Sequence, residues 1–231
     1  MWRVLGFFVL AVLLASVLGH VPIVGGLFRN TGILGILVAS ALISAALTRL
    51  GDYLMQGRKL RSELRSLEAV GNAHNHGKIG TLYLTRGRAR GALGHLEQAA
   101  RGESEVPEWH YRLGLARLAT RDVAGALGAF ERCVALEEEH AYGSAMMRRA
   151  ESLHRLGRHD EALAVLALQE RNHGPSPEVA FRRGLALRAL RRRAEARAAF
   201  DEVGALARRA THYQRRSAAL WALRASFVRF V

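Results

Sequence analysis

Cysteine is nearly absent from this chain. Cys133 is the sole one in 231 residues, so no disulfide can close within the chain. It falls where a helical pattern wants a small packed side chain, which a lone buried thiol supplies. Lysine is almost missing too: Lys59 and Lys78 are the only two, and 32 of the 34 basic residues are arginine. Against 20 acidic residues they give a formal net charge of +14. The arginine, alanine, glycine and leucine bias is that of a GC-rich bacterial coding sequence. Catalytic signatures are missing as well. No glycine-rich phosphate loop, nucleophile elbow or paired-histidine zinc helix occurs. Acidic residues gather at helix ends, as in Glu137, Glu138 and Glu139, where water solvates them. His74 and His76, two residues apart, fall on opposite sides of a helix with no cysteine or carboxylate motif beside them. Catalysis, a cofactor and a metal site are therefore not expected.

Charge is also missing from residues 4–19 and 31–48. Each stretch approaches the ~20 apolar residues that cross a hydrocarbon core. Pro22, Gly25 and Gly26 suit the turn between them. The expectation is a transmembrane helical hairpin over 1–50, with spans at about 4–20 and 31–48. Small residues four apart (Ala11, Ala15 and Gly19; Gly35 and Ala39; Ser40 and Ser44) would let the two helices approach. A cleaved signal peptide is the alternative for the first span; its length and the second span that follows count against it. Arg49, Arg58, Lys59, Arg61 and Arg65 follow the second span, while Arg29 alone lies in the connecting loop. The positive side faces the cytoplasm, so the rest of the chain is expected on the cytoplasmic side of a bacterial inner membrane. Residues 51–72 read as a basic helical connector, with Leu60, Leu64 and Leu67 on one face; contact with anionic lipid headgroups is one reading of its arginines.

Beyond the connector the sequence repeats itself. Pro107–His140 reads as two short helices with a break at Arg121 and Asp122, the aspartate placed to cap the second helix. A frame shift of 34 residues lays Gly80, Gly87, Ala92, Leu96 and Ala99 on Gly114, Arg121, Ala126, Phe130 and Cys133. Ala150, Gly157, Ala162 and Leu166 continue the register after an insertion of Ala141 and Tyr142, and Gly184, Arg191, Ala196, Phe200 and Val203 repeat it again. Four units result: 73–106, 107–140, 143–176 and 177–210. Residues 211–231 read as a capping helix that begins a fifth unit, with Ala218 at the small site. Gln169 stands where the third unit wants a small apolar residue. One such hairpin cannot bury its apolar faces alone, so the units must stack.

A helix–turn–helix period of this length with these anchors resembles the tetratricopeptide repeat. The resemblance implies an all-α solenoid whose first helices line a concave groove. On the positions that match, it puts a cation in every unit on that groove: Lys78, Arg112, Arg148, Arg182 and, in the truncated fifth unit, Arg216. Tyr111, Met147 and Phe181 would stand beside them as apolar contacts. Such a face would hold a protein or peptide partner bearing acidic groups. The Lys/Asn combination of carboxylate-clamp repeats is not reproduced, and the proline that usually ends the unit is missing. The layout of a short double span, basic connector and repeats is similar to that of HemY-like bacterial inner-membrane proteins.

Charge is polarised along the repeats. Residues 107–140 carry 4 arginines and 6 acids, whereas 177–210 carry 9 arginines and 4 acids. Arg191, Arg192, Arg193, Arg208, Arg209 and Arg215 are expected to form one basic patch at the carboxy-terminal end. The function expected is a membrane-embedded scaffold that binds without chemistry; the alternative is an electrostatic binder of anionic lipid or nucleic acid through that patch. Few aromatics accompany it and no nucleic-acid fold applies, so nucleic acid is the lesser of the two.

Overall fold

The computed structural model describes residues 41–50 and 62–229, with Gly6, Val9 and Val38. The chain divides into two compact units, Met1–Ser66 and Leu67–Val231. In the first, residues 41–50 are helical. The expected span 4–20 lies outside the described residues apart from Gly6 and Val9, as does much of 31–48. Among the described residues no helix is long and apolar enough to cross a membrane.

The second unit is built from α1 (Ala73–Thr85), α2 (Ala89–Gly102), α3 (Pro107–Ala119), α4 (Val123–Leu136), α5 (His140–Arg155), α6 (His159–His173), α7 (Pro177–Ala189), α8 (Arg193–Arg209) and α9 (Arg215–Arg229). Among the described residues of this unit there is no strand. Each odd-numbered helix pairs with the even one after it, and each pair packs against the next. The odd helices also touch one another in sequence, α1 to α3 to α5 to α7 to α9, whereas the even helices do not meet. A stack whose first helices touch while its second helices spread apart curves toward the first. That side is the inside of the bend.

The turn within each hairpin has one geometry, used four times. Gly87, Arg121, Gly157 and Arg191 all take positive φ, between 61° and 79°. Beyond each, a backbone N–H reaches back five residues to a carbonyl: Arg88 to Tyr83, Asp122 to Arg117, Arg158 to Leu153 and Arg192 to Leu187, each at 2.9 Å. This is the left-handed helix stop that satisfies the last carbonyls of the first helix. Glycine adopts it freely, and a side chain there is strained by roughly 1 kcal/mol. Arg121→Gly and Arg191→Gly should each raise stability by a few tenths to about 1 kcal/mol in thermal melts. The same change at an arginine inside a helix should lower it. Asp122 then accepts from the Gly125 backbone N–H at 2.9 Å, opening α4.

Within a hairpin the helices are held close by a missing side chain. A Cβ on Gly114 would lie 2.5 Å from Phe130, and one on Gly184 would lie 2.6 Å from Phe200. The ring therefore packs against bare backbone, and Phe130 is fully buried. Cys133, one turn on, is fully buried too. Burial, with Glu137 and Glu108 nearby, pushes its thiol up to about 12, the setting of a packing residue rather than a nucleophile.

Two departures from the 34-residue frame have local causes. At the insertion, Ala141, Tyr142 and Gly143 step through left-handed backbone at the start of α5. Gly143 has no Cβ to meet the Gln169 amide, which a Cβ would approach to 2.4 Å. That opening is why a glutamine occupies a buried site in this hairpin, 6% exposed. At the far end, α7 starts at Pro177 but α9 starts at Arg215, four residues later than the period places it. A turn over 212–214 takes up the difference.

Candidate functional site: the row of first helices

The inner face is built by α3, α5 and α7, with α1 and α9 at its ends. Pro107 and Pro177 start α3 and α7 with the φ a helix needs, and Glu108 and Glu178 follow in the first turn, where the free N–H groups favour negative charge. Each glutamate then meets the arginine four residues later. Arg112 pairs with Glu108, and Arg182 donates to Glu178 at 2.8 Å.

Between these pairs the hairpins are joined by charge. His140 Nε2 lies 2.8 Å from Glu108 and its Nδ1 lies 2.6 Å from Glu137. Tyr111 packs on the same imidazole at 5.4 Å between ring centres and on Phe130 at 6.0 Å. Glu151 is the hub of the next junction. Arg148 donates to it at 2.7 Å, Arg155 pairs with it, and Arg182 reaches it from α7 at 3.2 Å. Burial pushes the Glu151 carboxyl up, but Arg182, Arg148 and Arg155 together bring it below the usual carboxylate range. The Arg182 guanidinium also lies 5.8 Å from the centre of the Trp221 ring of α9.

The expected groove residues therefore divide. Tyr111 and Met147 are half-buried and present an apolar edge, and Lys78 on α1 is exposed. Arg112, Arg148 and Arg182 are each already engaged by a carboxylate. Arg148 is the most open, its side chain 40% exposed against 14% for Arg182. Phe181 differs from the expectation: it is buried, covered by Phe200 at 5.9 Å and Trp221 at 5.4 Å, because α9 lies across it. Arg216 is exposed in the first turn of α9.

The single basic patch expected from sequence becomes two sites. Arg191 and Arg193 share a cleft with Arg188, Arg197, Phe200 and Val228 at the start of α8. Arg192 is held aside by Glu195, to which its Nε and Nη2 both donate. Arg208 and Arg209 stand at the other end of α8, roughly 23 Å away at 1.5 Å per residue. Arg209 there lines a cleft of about 470 Å³ with Glu178, Gln214 and Trp221, and Arg215 opens the next helix.

Sequence reading missed His140 and Trp221 as members of this face. The Glu108–Arg112, Glu178–Arg182 and Glu151–Arg155 pairs carried a signal in their four-residue spacing; the reach of Arg182 across to Glu151 carried none. His74 and His76 part company: the first approaches Glu103 at 3.4 Å and the second meets His95 at 2.9 Å. Among the described residues no group of three or more His, Cys, Asp or Glu could hold a metal ion.

A stack of alternating helices, curved toward its first members and bound along that face by repeated charge, is a helical solenoid. Within it, residues 78–140 match the family model of the tetratricopeptide repeat. No curated protein matches the chain by sequence. Among solved structures, the chain is similar to MamA, at 23% identity over 62% of this chain and 82% of that one, with a TM-score of 0.56. MamA 41-end from Desulfovibrio magneticus RS-1 aligns over 67% of this chain and 93% of that one, at 21% identity and a TM-score of 0.52. YrrB, described as a TPR protein with an unusual peptide-binding site, aligns over 65% of this chain and 79% of that one, at 21% identity and a TM-score of 0.58. These likenesses are of fold.

Proposed function

We propose that the chain is a membrane-anchored scaffold that holds a protein or peptide partner along the row of first helices and performs no chemistry. The observation that carries this is the ladder on that row. Charged and apolar groups alternate across hairpin boundaries, from Tyr111 and His140 to Arg148, Glu151 and Arg182. They offer an extended or helical segment a regular set of contacts. Arginine keeps donors to spare when one carboxylate is satisfied, so a partner's acidic groups would join the existing pairs, first at Lys78 and the open Arg148. YrrB, with its peptide-binding site on a similar fold, supports the reading by analogy. The anchor rests on the uncharged runs at 4–19 and 31–48 and on the arginines after them. It places the repeats at the cytoplasmic face of a bacterial inner membrane and raises the effective concentration of a partner there.

Two measurements test it. The full chain expressed in bacteria should stay with the membrane through carbonate extraction; release to the supernatant removes the anchor. Partners captured on the detergent-solubilised chain should be lost with Tyr111→Ser, Met147→Ser and Lys78→Glu together and kept with Arg193→Glu and Arg209→Glu. The opposite pattern assigns binding to the basic ends of α8.

A further inference from the structure

We infer that the exposed apolar stripe of α9 is a docking surface for an acidic amphipathic helix of a partner protein. On α7, two faces are covered. Val179 packs in the apolar cluster of the preceding hairpin, and Arg183 bridges Glu170 of that hairpin and Glu202 of α8. Phe181, Gly184 and Leu187 lie against α8. On α9 only one face is covered. Ala218 and Ala225 are buried, and Trp221 and Ala222 pack with the cluster of α7 and α8. The other face, reached a step or two along the helix as on α7, carries Leu220, Leu223 and Phe227. These are 60%, 55% and 69% exposed.

Arg216, Leu220, Leu223 and Phe227 fall at alternating steps of four, three and four residues. That spacing draws one stripe along a helix and is the seam another helix packs on. The geometry therefore asks for a helix, and the surrounding charge says which kind. After Glu202 the sequence has six arginines and no carboxylate side chain. Arg208, Arg209, Arg215 and Arg216 lie around the start of α9, and the cleft of Arg188, Arg191, Arg193 and Arg197 reaches Val228 near its end. A second copy of this chain would bring like charge to like charge, and a neutral helix would leave the excess positive charge uncompensated. A helix with leucine or phenylalanine on one side and glutamate or aspartate flanking it satisfies both demands. This site lies outside the groove proposed above and stands or falls without it.

The probe is a synthetic 17-residue peptide with the α8 sequence, Arg193–Arg209, in which all four arginines are replaced by glutamate; α8 already packs on the corresponding face of α7. It is titrated against the full chain held in nanodiscs of zwitterionic lipid and followed by fluorescence anisotropy. Saturable binding is expected. Leu223→Ser with Phe227→Ser should weaken it by about tenfold or more, as for loss of a central apolar anchor. Arg215→Glu with Arg216→Glu should weaken it and flatten its salt dependence. The exposed positions of Leu223 and Phe227 leave the melting temperature unchanged, which separates lost binding from lost fold. The unaltered basic α8 peptide should not compete. The inference is overturned if the acidic peptide does not saturate, or if Leu223→Ser and Phe227→Ser leave its affinity intact. It is also overturned if these residues instead govern binding to phosphatidylglycerol vesicles or self-association of the chain.

Discussion

Phe130→Ala is expected to lower the unfolding free energy by roughly 3–5 kcal/mol, the cost of emptying a fully buried aromatic site. The cost sits at the high end because the site cannot refill. Its floor is Gly114, which has no side chain to move inward, and its ceiling is Tyr111, held by His140. Thermal denaturation followed by circular dichroism should show the midpoint falling by about 10 °C. A double-mutant cycle sharpens the test. Gly114→Ala should destabilise the native chain, since its new methyl would stand 2.5 Å from the ring, and should be neutral or favourable once Phe130 is alanine. If the two substitutions simply add, the ring does not rest on that glycine.

The second large effect is expected at Glu151. Replacing it with glutamine leaves three guanidinium groups around a neutral amide. Glu151 and Arg182 are mostly buried while Arg148 and Arg155 are partly open to solvent, so losing the carboxylate costs roughly 2 kcal/mol, below the cost for a fully buried pair. The linkage has a definite sign. The folded carboxyl titrates below its ordinary 4.5, so the unfolded chain takes up the proton more readily. The stabilisation is complete above the unfolded value and is lost as pH falls through the lower folded one. The native chain should therefore lose stability as pH falls below about 5, and Glu151→Gln should lose less. Arg182→Leu added to Glu151→Gln should recover part of the loss by removing an uncompensated charge. An equal pH slope in native chain and variant would show that the carboxylate titrates normally.

These two sites mark what was and was not legible in the sequence. Phe130 and Gly114 are written there as a fixed pair of positions repeated at 80 and 96 and at 184 and 200. The left-handed turn is written too, since 87, 121, 157 and 191 recur at one place in the unit, even where arginine replaces glycine. Periodicity records whatever every hairpin must solve alike. The contact of Arg182 with Glu151 arises once, where α5 meets α7, so no repeat announces it. The start of α9 was misplaced by four residues for the same reason. The 34-residue rule records what every junction shares, and the turn over 212–214 belongs to one junction alone. Local charge was misjudged in the opposite direction. A column of cations counted along the sequence looks free, whereas in space three of its members are already matched.

That each hairpin of the second unit touches only its neighbours carries a consequence for how this unit comes apart. It has no common centre whose loss would bring everything down together, and its cohesion is a sum of junctions in a line. Melting should then run like a zip from the terminal tooth that is gripped on one side only. Amide hydrogens of α9 should exchange with solvent fastest, those of α7 and α8 next, and those of α3 and α4 last.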